Sequence, residues 1–382
     1  MYDHLETRCI HGNSDFSYQE ATRAVSFPIY QTATFGHIGL GQSTGYDYTR
    51  EKNPTRERLE ETISALEGAR DTVAFSSGMA AVSACFDLCQ PGAHILCSED
   101  LYGGVVRYLG TIGQKNGLSV SFADTSDLNT VRSLLRPETR ALYIETPSNP
   151  MMNITDLRAC AGLAKEHGLL LIVDNTFLSP YLQNPIALGA DLVVHSGSKF
   201  ISGHNDTISG FLSSATQDLA DRARLIAKTT GGTLAPFDSW LVLRGLKTLP
   251  VRMERQQESA MKVARWLTEH PAVSKVFYAG LPQHPGCDVN RRQARGAGSM
   301  ISFQTRSEAA ARQVLERVRL ITFAESLGGT ESLITYPMLQ THPDVPRETR
   351  ERLGITETLL RLSVGLEHAD DIIADLKQAL EN

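Results

Sequence analysis

The sequence predicts an α/β protein whose central sheet is mostly parallel, with helices on both faces and a smaller α+β C-terminal domain. Between residues 71 and 214, short apolar runs typical of buried strands alternate with stretches at helical spacing. Alternation of this kind builds βαβ units and therefore a parallel sheet. The chain has 382 residues, which is more than one hydrophobic core usually supports, so we expect two domains.

Residues 1–47 are predicted to form an extended N-terminal arm rather than a domain. They show no sustained apolar periodicity and are rich in serine, threonine, glycine and aromatic residues. The glycines of the arm do not spell GxGxxG between a strand and a helix, so a dinucleotide site is not predicted. Because arms outside a compact core often wrap a neighbouring subunit, we expect this one to contact a second copy of the chain.

The large domain is predicted to cover residues 48–246. It begins with a helix that Pro54 and Thr55 open and Gly68 ends. The predicted strands share short apolar runs and read DTVAF, HILCSE, LSVSFA, ALYIET, LLLIVD and DLVVHS. Helical stretches such as MAAVSACFDLC and ITDLRACAGLAKEHG lie between them.

The C-terminal domain is predicted to cover residues 247–382. A long helical stretch, interrupted near Gly245 and Pro250, leads into it. Strand candidates SKVFYAG, SMISFQT and LLRLSVG then mix with helices SEAAARQVLERVR and ADDIIADLKQALEN, which is an α+β pattern. The polar stretch LPQHPGCDVNRRQARG is rich in proline and glycine and is predicted to be a loop.

Charge and composition exclude several classes of function. The net charge of −6 leaves no basic footprint for nucleic acid or an acidic membrane surface. No apolar run approaches the roughly 18 residues that would span a bilayer. The polar start MYDHLETRCIHG does not predict a signal peptide, and six cysteines without CxxC spacing favour a reduced, cytoplasmic setting.

Polar residues follow the carboxyl ends of the predicted strands, where ligands bind in sheets of this kind. Asp174 ends LLLIVD, and Ser196, Ser198 and Lys199 follow the next strand. A lysine at the mouth of a buried strand is poorly solvated, which favours its neutral, nucleophilic amine. A Schiff-base lysine, a carboxylate for a pyridinium nitrogen and hydroxyls for a phosphate are the groups that pyridoxal phosphate (PLP) needs. Taken singly, each residue is more typical of a solvated strand edge, but together they make PLP the leading hypothesis.

Other polar residues carry a functional and a structural interpretation. Ser77, Gly78 and Met79 precede a helix and predict either a phosphate cradle or an ordinary N-cap. Tyr102 either stacks on a flat ring or packs in a turn. Arg361 lies within an apolar strand pattern, so it either pairs with a protein carboxylate or binds the carboxylate of a substrate. No P-loop or HExxH motif occurs, and no metal site is predicted.

The chain resembles the Cys/Met-metabolism family of PLP enzymes, which comprises cystathionine γ-synthases, cystathionine β- and γ-lyases, methionine γ-lyases and O-acylhomoserine sulfhydrylases. The resemblance extends over essentially the whole chain. It is carried by YDYTREKNPTR, FSSGMAA, DLYGG, ETPSNP, VDNTF, HSGSKFISGHND, FAESLGGTESL and LLRLSVGLEH. It implies the PLP-dependent transferase architecture called fold type I.

The resemblance also implies roles for the cofactor residues. Lys199 would be the Schiff-base lysine and proton shuttle, and Asp174 would keep the pyridine nitrogen protonated. Tyr102 would stack on the ring and help to protonate the leaving group. The remaining implied contacts are Ser77, Gly78, Met79, Ser196 and Ser198 at the phosphate and Asn149 at the ring hydroxyl and the substrate.

A shared active site is implied as well. Tyr48 and Arg50 match residues that reach the phosphate of the neighbouring subunit's cofactor. A homodimer would then be the smallest active unit, and homotetramers are usual in this family.

Arg361 matches the clamp for the substrate α-carboxylate, with Ser326 nearby, and Arg107 and Glu325 match positions near the distal part of the substrate. Gly104 stands where methionine γ-lyases usually carry cysteine. The resemblance thus favours a polar-ended amino-acid substrate and γ-replacement on an O-acylhomoserine, with cysteine or sulfide as nucleophile, in methionine and cysteine metabolism. A cystathionine γ- or β-lyase is the alternative. A catalytically silent binding protein is a third reading, against which the intact lysine and aspartate argue.

Overall fold

The computed structural model describes residues 2–12, 23–343 and 345–381, and its larger sheet confirms the predicted α/β class. The seven strands of this sheet are β1 (Asp71–Phe75), β2 (His94–Ser98), β3 (Ser119–Ala123), β4 (Thr139–Glu145), β5 (Leu170–Asp174), β6 (Leu192–Ser196) and β7 (Gly210–Ser214). Their order is β1-β7-β6-β5-β4-β2-β3. Strand β7 is antiparallel to both of its neighbours, and all other pairs are parallel.

The central strands β4, β5 and β6 contain apolar runs because both faces of the sheet are buried there, whereas the edge strand β3 is partly exposed. Alternate side chains of a strand point to opposite faces. In β5, Leu171 and Val173 pack into the hydrophobic core on one face, and Ile172 packs into the core on the other. The carboxyl ends of these buried strands are therefore the part of the sheet that is open to ligands.

Helices of the first part of the chain cover the sheet and its edges. They are α1 (Leu5–His11), α2 (Pro54–Glu67), α3 (Gly78–Phe86), α4 (Gly103–Tyr108), α5 (Leu128–Ser133), α6 (Leu157–His167), α7 (Ser179–Leu182), α8 (Gln217–Thr230) and α9 (Pro236–Leu246). Helix α2 has the predicted ends: Pro54 is in its first turn, Asn53 caps the N-terminus, and Gly68 ends it with φ 68°.

The second sheet contains the C-terminal strands. These are β8 (Val273–Phe277), β9 (Met300–Thr305), β10 (Thr322–Phe323), β11 (Leu333–Thr335) and β12 (Leu359–Ser363), in the order β10-β11-β12-β9-β8. The accompanying helices are α10 (Leu249–Glu269), α11 (Cys287–Gln293), α12 (Glu308–Arg317), α13 (Arg347–Leu353) and α14 (Ala369–Leu380). The division into an arm, a large domain and a C-terminal domain stays a prediction, which the separation of the two sheets along the chain supports.

Two local predictions are wrong. Residues 5–11 of the predicted extended arm form α1, because Cys9 is buried against the core; residues 13–22 of the arm lie outside the described residues. The predicted loop near residue 287 contains α11, whose Cys287 and Asn290 are buried. Among the described residues, no helix combines the length and the apolar character that crossing a bilayer requires.

Candidate active site

A cavity of about 610 Å³ lies at the carboxyl ends of β4, β5 and β6, with the C-terminal sheet forming its outer wall. It brings together most of the residues that the sequence singled out. Those lining it are Ser77, Gly78, Met79, Tyr102, Asn149, Asp174, Ser196, Ser198, Lys199, Glu325, Ser326 and Arg361.

Lys199 lies in the turn that follows β6. The turn is tight: a Cβ on Gly197 would lie 2.3 Å from the Phe211 ring and 2.4 Å from the Ser209 hydroxyl. The Lys199 Nζ donates a hydrogen bond of 2.8 Å to the Ser326 Oγ. Burial, aided by the positive charge of Arg361, lowers the pKa of Lys199 to about 8. The amine is therefore much more nucleophilic near neutral pH than an exposed lysine.

Asp174, the last residue of β5, is a buried carboxylate without a charged hydrogen-bond donor in the described structure. Its Oδ1 accepts from the Thr176 amide at 3.0 Å and the Thr176 hydroxyl at 2.6 Å, and its Oδ2 accepts from the Tyr143 hydroxyl at 3.3 Å. Burial raises the pKa of Asp174, and the Thr176 bonds oppose the rise. A protonated pyridine nitrogen is a cation that such a carboxylate would pair with, so the residue fits PLP.

The N-terminus of α3 meets the end of β6 and forms a pocket for an anion. The Ser77 hydroxyl caps the helix by accepting from the Ala80 amide at 3.1 Å. A Cβ on Gly78 would lie 3.0 Å from the Ser196 Cβ, so glycine lets the first helical amides approach the Ser196 hydroxyl. Helix amides and a hydroxyl at one spot fit a phosphate. The Ser198 hydroxyl bonds to Ser209 and anchors the turn.

Arg361, in β12, is buried and 2% exposed. Its guanidinium donates to the Asn149 Oδ1 at 2.8 Å, the Ser326 carbonyl at 3.2 Å and the Thr335 Oγ1 at 3.3 Å. These partners are neutral oxygens, which favours the substrate carboxylate over a protein carboxylate as the ion-pairing partner. Glu325 is exposed on the rim of the same cavity.

Tyr102 is the N-cap residue of α4 and is 41% exposed at the cavity mouth. Its backbone N–H donates to the Glu145 Oε2 at 3.0 Å. A Cβ on Gly104 would lie 2.5 Å from the Tyr102 ring, so the missing side chain at position 104 makes room for the ring. This placement leaves the face of the ring available for stacking.

Tyr48, Arg50 and Arg107 do not line the cavity of their own chain. Arg50 donates to the Lys228 carbonyl at 2.6 Å and lines a separate cleft of about 310 Å³. Tyr48 is 45% exposed, and Arg107 is exposed on α4. Their roles stay predictions.

Sequence reasoning missed three residues around the cofactor site. Glu145 ends β4 and lines the cavity, and the strand-end rule that found Asp174 applies to it equally. Thr176 and Tyr143 hold the Asp174 carboxylate. Tyr143 reads as a core residue of a buried strand, and Thr176 carries no distinctive signal.

The sequence profile described as Cys/Met metabolism PLP-dependent enzyme matches residues 6–381. The chain belongs to this family. Its cofactor is accordingly PLP, and its substrates are small molecules of the amino-acid class. When bound, PLP supplies an electron-accepting ring that weakens bonds at the substrate Cα.

Relatives with three different activities are similar to this chain. It is 46% identical over 377 residues to a cystathionine γ-lyase of Bacillus subtilis, covering 99% of each chain. It is 48% identical over 365 residues to a cystathionine γ-synthase of Haemophilus influenzae, covering 95% of this chain and 94% of the relative. A cystathionine β-lyase of Lactococcus lactis is 45% identical over 377 residues, with 99% of each chain covered. The identities are too close to separate synthase from lyase.

Solved structures of both reaction types share the fold. A cystathionine γ-lyase from Lactobacillus plantarum, complexed with L-serine, has a TM-score of 0.96 and 42% identity, with 98% of each chain covered. A cystathionine γ-synthase from Xanthomonas oryzae pv. oryzae, in complex with aminoacrylate and cysteine, has a TM-score of 0.96 and 39% identity, covering 100% of this chain and 98% of the other.

Proposed function

We propose that the chain catalyses γ-replacement on an O-acylhomoserine, with cysteine or sulfide as the nucleophile. The observation that supports an amino-acid substrate with a polar distal end is the pair of opposite charges on the cavity wall. Arg361 is a buried cation suited to an α-carboxylate, and Glu325 is an anion on the rim, beside Ser326. Such a site favours reactants with a polar or cationic distal end, as cysteine has, over the apolar end of methionine.

The residues of the cavity have separate roles in proton transfer, cofactor binding and substrate orientation. Lys199 accepts the Cα proton and is held by its hydrogen bond to Ser326. The Asp174 carboxylate keeps the cofactor nitrogen protonated, and the α3 N-terminus with Ser196 binds the phosphate. Arg361 would hold the substrate by its α-carboxylate in the cavity that Lys199 lines, and so would orient its Cα toward the amine.

The packing around Tyr102 supports a substrate unlike methionine. Cysteine at position 104, as in methionine γ-lyases, would place its Cβ 2.5 Å from the Tyr102 ring and displace it. Gly104 therefore defines a different ring position from the one that such enzymes require.

A cystathionine γ- or β-lyase is the second candidate. It is favoured by the lyases of Bacillus and Lactococcus, which are 46% and 45% identical to this chain over 377 residues. Cystathionine is the product of the proposed replacement by cysteine and the substrate of a lyase, so Arg361 and Glu325 suit both reactions.

A shared active site is part of the proposal. Tyr48 and Arg50 lie outside the cavity of their own chain. In an oligomer, they would complete the cavity of the neighbouring subunit. The arm carries apolar side chains that one chain leaves uncovered: Val25 is 92% exposed, Ile38 75%, and Leu40 is fully exposed. A homodimer or homotetramer would cover them.

The test compares two reactions of the same cofactor-loaded enzyme. One sample receives O-acetylhomoserine with cysteine, and the other receives cystathionine alone. We expect cystathionine to form in the first faster than 2-oxobutyrate or pyruvate forms in the second. Faster release of these oxoacids would contradict the proposal and assign a lyase.

A variant of Glu325 tests whether its negative charge contributes to substrate binding. Glu325→Gln is expected to raise the KM for cysteine more than the KM for O-acetylhomoserine. The reason is that the substitution removes the negative charge that would attract the ammonium group of cysteine. The exposed Glu316 of α12 supplies the control, Glu316→Gln, which should leave both constants unchanged. Equal effects of the two variants would refute a role for Glu325 at the substrate.

A further inference from the structure

Two polar side chains of α10, Arg252 and Gln256, are buried between the two sheets. Arg252 is 2% exposed, and Gln256 is completely buried. They are four residues apart and therefore lie on the same face of the helix. A buried arginine is rare unless it is paired or fully hydrogen-bonded, so its partners indicate what it is for.

Arg252 binds the backbone directly after Lys199. Its Nη1 donates to the Phe200 carbonyl at 2.7 Å, and its Nη2 donates to the carbonyls of Ile201 at 3.3 Å and Gly245 at 3.0 Å. The described partners are neutral oxygens, and the guanidinium acts as a fork across three carbonyls.

Gly203 makes room for this fork. It has φ +70°, and a Cβ there would lie 2.0 Å from the Arg252 Nη1. The backbone that follows Lys199 therefore packs directly against the Arg252 guanidinium.

Gln256 binds the segment that carries Ser326. Its Nε2 donates to the Gly329 carbonyl at 2.6 Å. The neighbouring Gly328 packs on the lysine turn, since a Cβ on it would lie 2.6 Å from the Phe200 nitrogen and 3.0 Å from the Lys199 carbonyl carbon. One helix therefore holds both segments at the point where they touch.

Ser326 shows that this segment is held under strain. Its φ of 93° is unfavourable for a residue with a side chain. Such a conformation persists only where the surroundings impose it. The 2.8 Å bond from the Lys199 Nζ to the Ser326 Oγ depends on that imposed geometry.

We propose that Arg252 and Gln256 are positioning residues that fix Lys199 relative to Ser326 and so keep the amine aimed at the cofactor and the substrate Cα. The inference rests on the proposed role of Lys199. Helix α10 is 21 residues long and gives the two side chains a rigid support. Neither residue lines the cavity, so their effect on the reaction is transmitted through the backbone that they hold.

The test measures how fast apoenzyme captures PLP on the lysine, followed by the visible absorbance band that borohydride removes. Gln256→Met keeps the length of the side chain and removes the donor, and Arg252→Met keeps an unbranched apolar stem and removes the guanidinium. Each is expected to slow capture and lower kcat on the order of 10- to 100-fold, because small misplacements of a reacting group cost this much. The KM for the amino acid should change much less.

Two further variants separate positioning from general damage. Arg252→Lys restores one donor and is expected to recover part of the capture rate. Arg255→Met removes an arginine that is 38% exposed on the same helix and pairs with Glu258, and it should behave like the wild type.

The outcomes distinguish this proposal from the proposed function. Wild-type capture rates in Arg252→Met and Gln256→Met would overturn the positioning role. If Arg252→Met does not fold, Gln256→Met decides by the same criterion. If the borohydride-reduced wild type carries its adduct on a residue other than Lys199, the proposed function fails first.

Discussion

The lowered pKa of Lys199 predicts how the rate of PLP capture by the apoenzyme depends on pH. Burial disfavours the ammonium form and, with the nearby charge of Arg361, lowers the pKa from 10.5 to about 8. At pH 7, a group of pKa 8 is about 10% deprotonated, whereas a lysine of pKa 10.5 is about 0.03% deprotonated. Lys199 should therefore present about 300 times more neutral amine than an exposed lysine at this pH.

The assay is stopped-flow mixing of apoenzyme with PLP between pH 6 and pH 10. Nα-acetyl-lysine, which has a free ε-amine, is the control under the same conditions. The ratio of the two rates cancels the effect of the titration of PLP itself. The rate for the enzyme should rise about tenfold per pH unit below pH 8 and level off above it. The rate for the control should keep rising to about pH 10.5.

Arg361→Met extends this experiment. Removing the neighbouring cation removes one of the two causes that lower the pKa of Lys199, so the midpoint should move to higher pH. A wild-type midpoint near 10 would refute the reasoning from burial, and an unchanged midpoint in the variant would refute the contribution of the arginine.

The remaining predictions concern the cofactor and substrate contacts. Asp174→Asn should lower kcat about 10- to 150-fold, which corresponds to the roughly 1.5–3 kcal/mol of a charge-assisted hydrogen bond; steady-state rates within twofold of wild type would contradict this. In substrate kinetics, Arg361→Met should raise the KM about 30-fold or more, since removing one partner of a buried charge pair costs at least about 2 kcal/mol. A lower kcat at constant KM would assign Arg361 a different role. Arg50→Ala should weaken PLP retention of the assembled oligomer during dialysis, whereas the surface variant Arg70→Ala should not; equal retention would count against shared sites.

The sheet was predictable because its strands are buried on both faces. LLLIV and LVV are short apolar runs, and the strands that contain them end in Asp174 and Ser196, which line the cavity. The same rule located Asp174 and Lys199. Their meeting in one cavity follows from the parallel arrangement, in which adjacent strands end at the same edge.

Tertiary packing explains what the sequence did not reveal. Helix α11 lies in a stretch rich in proline and glycine, and its Gly286 cap lies against Ile154, far away in sequence: a Cβ there would be 2.7 Å from the Ile154 Cβ. Arg252 reads as an ordinary charge on a long helix. Only the folded chain shows that its partners are the carbonyls after Lys199.

Peptide mass spectrometry of the purified, borohydride-treated protein tests whether Lys199 is the residue that binds PLP covalently. Reduction makes the bond between PLP and its lysine permanent, so the modified residue can be identified. We expect one pyridoxyl adduct per chain, on Lys199, and no adduct in Lys199→Ala. An adduct on another lysine, or none in a protein that shows the visible absorbance, would refute the role of Lys199.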